Sequence, residues 1–153
     1  MDLAVVAIDT SRITHAEVAN AHLIALTSDL VGWPEHASEL FLIGYPKDHS
    51  FVDPESGMLH TQRVVLNGRY VGKSSLPYLH TAKITDAHSL STFNGFSGGP
   101  VFSVLRFPGE PPTAGLCGMA IRGASSSNII HFLDRTVLID ALNIRLERQN
   151  LSR

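Results

Sequence analysis

The chain has 153 residues, 44% hydrophobic and 17% charged, with 12 Lys and Arg against 14 Asp and Glu and a formal net charge of −2. That length suits one domain with a packed core rather than a disordered chain, and the charge balance excludes the basic stripe of a nucleic-acid binder. No apolar run reaches membrane-spanning length, and the single cysteine, Cys117, excludes an internal disulfide and a four-thiolate zinc site.

In chain order, "LAVVAI" (3–8) is a continuous apolar run and predicts a strand buried on both faces. The polar, Ala-rich stretch from Asp9 to Asn20 predicts a linker or short helix. "HLIALT" (22–27) reads as a further β-run, followed by a loop around Trp33-Pro34. "ELFLIGYP" (39–46) is a strand stopped by Gly44 and Pro46. Within "QRVVLNGRYVG" (62–72), Asn67-Gly68 predicts a tight hairpin between two alternating segments. "YLHTAKIT" (78–85) and "GPVFSVLRF" (99–107) are strands, and the second runs into the turn-rich "PGEPPTAG". "LCGMAIRG" (116–123) and "NIIHFL" (128–133) follow, and the apolar flanks of Cys117 place it in a buried strand. Asp134 is placed to cap a helix over 135–148, where Val137, Leu138, Ala141, Leu142 and Arg145 recur at helical spacing. The sum is an all-β barrel with a helical tail.

The chemistry concentrates at "FNGFSGGPVFS" (93–103). Gly95-Phe96-Ser97-Gly98-Gly99 matches the G-x-S-x-G nucleophile elbow of α/β-hydrolases. That elbow needs a helix after the serine, then an acid and then a histidine. Here a strand pattern follows Ser97, and His131 precedes Asp134 and Asp140 with no histidine after them. The esterase reading fails on context and on order. "GFSGGPVFS" instead resembles the G-x-S-G-G-P signature of trypsin-like (chymotrypsin-fold) serine peptidases. In that setting Ser97 is the nucleophile, and flanking glycines let the Gly95 and Ser97 amides converge on one oxygen as an oxyanion hole.

The resemblance extends along the chain. "AGLCGMAIRGA" is similar to the family's strand after the nucleophile, which implies that Ile121, Arg122 and Gly123 form one wall of the specificity pocket, with Ser91 near its base. Arg122 at that wall would favour acidic or discourage basic side chains. "FLIGYP" is similar to the opening strand of the second barrel in bacterial trypsin-like peptidases, and the helix after "HFLDR" matches the family's terminal helix. "DLAVVAID" resembles the segment carrying the triad aspartate, here Asp2. The implied architecture is the second six-stranded antiparallel barrel of a two-barrel peptidase over 21–153, preceded by a remnant strand of the first barrel and a linker over 1–20.

The family order is His, Asp, Ser, so the general base is expected upstream of Asp2. The base histidine is therefore expected to be missing from this chain, which reads as a fragment, inactive alone. Phe96 stands where trypsin has an acid that pairs with a newly cleaved N-terminus, so no zymogen activation is expected, and Phe96→Asp is expected to matter far less than Ser97→Ala. The eight histidines offer no metal site: His15 and His22 lie seven apart without H-E-x-x-H or a third ligand, and His36, His49, His60, His80, His88 and His131 stand singly. The expected partner is a polypeptide substrate, with no cofactor, metal, nucleic acid or membrane. With no signal peptide and no disulfide, a cytoplasmic location is expected. The alternative function is a non-catalytic relic that keeps the peptide groove, because edge strands beside the pocket can pair with an extended peptide.

Overall fold

The computed structural model describes residues 32–37, 39–86 and 90–150. These form strands β1 (Leu40–Gly44), β2 (Ser50–Val52), β3 (Leu59–Thr61), β4 (Val64–Lys73), β5 (Leu79–Ile84), β6 (Pro100–Leu105), β7 (Thr113–Ala124) and β8 (Ile129–Asp134), then helix α1 (Arg135–Asn150). Six of the strands close an antiparallel barrel in the order β1-β4-β5-β8-β7-β6, and β2 pairs with β3 as a separate hairpin. The expected strands 3–8 and 22–27 and the linker 9–20 lie outside the described residues.

Alternation fills the barrel. Inward-facing Leu40 and Leu42 of β1, Leu66 of β4, Ala82 and Ile84 of β5, Val101 of β6 and Ile130 and Phe132 of β8 are all nearly inaccessible. Each Leu- or Phe-sized side chain contributes about 1.5–3 kcal/mol through burial. Cys117 lies in this core, as its flanks predict, and burial pushes its thiol pKa up to about 11.

One end of the barrel is polar. His80, 2% exposed, meets Asp134 through Nε2 at 2.8 Å and the Tyr70 hydroxyl through Nδ1 at 2.9 Å, and its ring stacks on Phe132. Asp134 also caps α1, accepting from the Thr136 N–H and hydroxyl at 2.8 and 2.7 Å. Burial works against the ionised carboxylate, but these hydrogen bonds prevail and hold it below the usual range. Arg135 anchors the next position, lying over the Trp33 ring at 4.2 Å and donating to the Gly32 carbonyl. α1 then packs against β7 and β8.

Two local expectations are corrected. Asn67-Gly68 makes no hairpin, because β4 runs straight through it, with Asn67 opposite Phe41 and Gly68 opposite Leu40. The Asn67 side chain, which would otherwise close a turn, is bound to Asp86 at 2.5 Å, and its own N–H bonds the same carboxylate at 2.8 Å. Gly68 instead serves close approach, since a Cβ there would sit 3.0 Å from the Lys83 carbonyl oxygen. β7 begins at Thr113, inside the stretch read as a turn. Its early residues pair with β6, Thr113 opposite Leu105, and that ladder outweighs the preceding prolines.

Candidate functional site

The segment between Phe93 and Gly99 is a loop bonded within itself and stitched to the barrel on two sides. Internally, the Phe96 N–H bonds the Phe93 carbonyl at 3.2 Å and the Gly99 N–H bonds the Phe96 carbonyl at 2.9 Å. Toward the exit of β1, the Gly95 and Asn94 carbonyls accept from the N–H groups of Tyr45 and Lys47 at 3.0 and 3.2 Å. Toward β7, the Gly98 N–H donates to the Ala120 carbonyl and the Ala120 N–H to the Gly99 carbonyl, both at 2.8 Å. Phe96, 1% exposed, drives its ring into the core edge-on to Phe93, with centroids 6.2 Å apart. Hydrophobic burial of Phe96 therefore anchors the loop.

This anchoring overturns the expectation that Phe96→Asp is mild: a carboxylate there would replace a fully buried ring. The glycines have positional reasons. Gly95 has φ +97°, and a Cβ on it would collide with the Tyr45 carbonyl oxygen. Gly98 has φ +85°.

Ser97 is exposed on this loop. Among the described residues, neither the Gly95 N–H nor the Ser97 N–H donates to a protein acceptor, whereas the amides of Phe96, Gly98 and Gly99 all do. Among the described residues, the exposed hydroxyl thus shares its loop with two backbone donors that have no acceptor.

Among the described residues, Ser97 opens on two cavities, and a third adjoins the first. One of about 190 Å³ is lined by the exposed Gly95, Ser97 and Gly123, by the half-buried Ile121 and by the buried Phe93 and Ile130. A second, of about 600 Å³, shares Gly95 and Ser97 and extends over Tyr45, Arg63 and Phe102. The third, about 250 Å³, adjoins the first across Ile121 and Arg122 and is lined by Leu76, Pro77 and Leu133. Between the first and third runs a strand edge. The β6·β7 ladder ends at Pro100 opposite Met119, while β7 goes on pairing with β8 to Ala124. Beyond Ala120, which bonds Gly98 and Gly99, β7 is paired only with β8 among the described residues, and Ile121 sits in a bulge of that ladder.

Of the residues expected at the site, Gly95, Ser97, Ile121, Arg122 and Gly123 line one cavity. Ser91 does not line it. The Asp48 carboxylate accepts from the Ser91 hydroxyl at 2.6 Å and its N–H at 3.1 Å, and Ser125 bonds the Ser91 carbonyl at 2.9 Å. The Ser91 hydroxyl bond foremost lowers the Asp48 pKa below its ordinary value. Asp2 lies outside the described residues, as do His15, His22 and His88. None of the described histidines lines a cavity that Ser97 opens on. The residues that sequence reasoning missed are Phe93 and Ile130 in the cavity wall. Phe93 belongs to the motif segment itself, but only the fold turns its ring toward the wall made by β7. Comparison with protein-family models, with curated proteins and with solved structures finds no match.

Proposed function

We propose that this chain carries the nucleophile-bearing barrel of a serine endopeptidase of trypsin-like kind, which cleaves peptide bonds through an acyl-enzyme on Ser97. The observation that carries the reading is the exposed Ser97, whose own amide and that of Gly95 have no acceptor among the described residues, at the junction of two cavities and beside the β7 edge. A closed six-stranded antiparallel barrel with a C-terminal helix is compatible with a chymotrypsin-like barrel. An extended peptide would pair with β7 at Ile121–Gly123 and present a carbonyl to Ser97. Its oxygen would gather charge as the Ser97 hydroxyl attacks, and the Gly95 and Ser97 amides would receive that charge. Removing one such donor typically costs on the order of 10²- to 10³-fold in rate. The general base that takes the hydroxyl proton belongs outside the described residues.

The test is acylation. A peptide p-nitrophenyl ester, with imidazole supplied as base, should leave one acyl group on Ser97, visible in the intact mass and absent from Ser97→Ala. Acylation at another residue, or equal acylation of Ser97→Ala, would remove Ser97 as nucleophile. A second reading, a peptide-binding module without cleavage, draws on the lack of a described histidine beside Ser97. It predicts peptide binding with no acyl adduct. Stoichiometric labelling by a fluorophosphonate without added base would instead place the base within this chain.

A further inference from the structure

We infer that the 190 Å³ cavity beside Ser97 selects peptides by an uncharged apolar side chain of Leu, Met or Phe size, with Phe93, Ile130 and Gly123 as the residues that set the choice. The inference rests on the peptide-groove reading above and adds the class of side chain that the groove takes.

Gly123 sets how much room lies beside Ile130 and Phe93. A Cβ at this position would stand 2.7 Å from Ile130 Cγ1 and 2.8 Å from Phe93 Cδ2, so both side chains close on it across the space a larger residue would fill. Both are core residues, 1% and 5% exposed, and cannot swing aside without opening the barrel. The wall that Ile130 and Phe93 form is therefore rigid and apolar. Its volume of about 190 Å³ exceeds the ~150 Å³ that accommodates benzene in an apolar protein cavity. A benzyl or isobutyl group fits by that measure, whereas a methyl group leaves most of the space empty.

Charge decides the rest. No carboxylate lines the cavity, so an entering Lys or Arg would lose water without gaining a counter-ion. The nearby candidate, Asp48, is held on Ser91 outside the lining. The one charged lining residue, Arg122, is exposed. It opposes a cation, but an exposed ion pair with an acidic side chain is worth only about 1.5- to 5-fold. That gain does not offset placing a carboxylate against Phe93 and Ile130.

The experiment uses residues 1–153 and N-acetyl tripeptide amides that differ only in the last residue: Leu, Met, Phe, Ala, Asp or Lys. Affinity is read from the amide shifts of Ser97, Gly123 and Ile130. Leu, Met and Phe should bind roughly 10-fold or more tighter than Ala, Asp and Lys, in line with what a methylene-scale misfit costs an apolar pocket. Arg122→Glu, at an exposed position, should raise the affinity for Lys several-fold while an apolar residue keeps first place. Phe93→Leu, which withdraws the ring, should move the preference toward Phe. An Asp or Lys peptide that binds wild type tightest overturns the inference but leaves the groove, and Ser97 acylation, standing. If no peptide shifts these amides, the groove reading falls and takes the inference with it.

Discussion

Ser97 bears its hydroxyl on a loop whose other features are fixed by neighbours, which separates chemistry from stability at single residues. Ser97 is exposed, so Ser97→Ala should change stability by less than about 0.5 kcal/mol. The same substitution should abolish the acyl adduct while peptide affinity holds within roughly threefold, by titration and intact mass. Phe96→Asp should do the reverse of what its motif position suggests. Loss of a buried ring costs about 3–5 kcal/mol, a large part of the roughly 5–15 kcal/mol that holds a domain together, and the stranded carboxylate adds to it. Urea unfolding should show the loss, and a midpoint unchanged from wild type would contradict the anchoring role. Cys117 gives a third test at this scale. With its thiol pKa pushed up to about 11 by burial, the native protein at pH 8 should resist a disulfide reagent and react only after denaturant is added. Rapid native labelling would place the thiol outside the core.

Among the elements, α1 depends most on a single side chain, because Asp134 both caps it and faces His80. Asp134→Ala removes the cap, worth about 1 kcal/mol, and leaves the buried His80 Nε2 without its partner, worth about 1–3 kcal/mol. A loss of about 2–4 kcal/mol in urea unfolding is expected, with Asp134→Asn, which still caps, losing clearly less. The folded pKa of Asp134 lies below its unfolded value, so this stability is complete above the unfolded carboxylate range. It drains as pH falls through the folded pKa. A protein most stable below pH 4 would contradict that sign. This cap was legible from the sequence because an N-cap is a local device, set by one residue and the apolar spacing after it. The strands around Leu42, Ala82 and Phe132 were legible from alternation for the same reason. Asn67-Gly68 misled, because whether Asn67 bonds its own turn or Asp86 is decided by a partner 19 residues away. The hairpin of β2 and β3 gave no signal, since its apolar residues are exposed and obey no inside–outside alternation. At the site, the motif marked Ser97 and Gly95, but the cavity wall joins Phe93 to Ile130 from different strands and loops, and only barrel closure brings them together.

At the scale of the whole molecule, the apolar residues of that hairpin stay outside the barrel core. Phe51, Val52, Met58 and Leu59 are 64%, 61%, 59% and 65% exposed, with Phe51 stacked on His60. Such an apolar patch on a short free edge promotes association. Replacing Phe51 with Ser and Leu59 with Lys should reduce concentration-dependent sedimentation and leave barrel stability within about 0.5 kcal/mol. Unchanged sedimentation would clear the hairpin of that role. The barrel itself closes along its shortest ladder, where β1 meets β6 only from Leu40 opposite Ser103 to Leu42 opposite Val101. The Ser97 loop is wedged at this seam, with Gly99 against the Ile43 carbonyl and Gly95 against that of Tyr45. A closed ring of strands breathes first at its weakest joint, so deuterium should enter the seam amides before those of the β7·β8 ladder. Each such opening would release the loop's footing on β1 and scatter the Gly95 and Ser97 amides. The lifetime of the joint would then set how long the site stays assembled, and a staple across Phe41 and Phe102 would lengthen that lifetime without touching the serine.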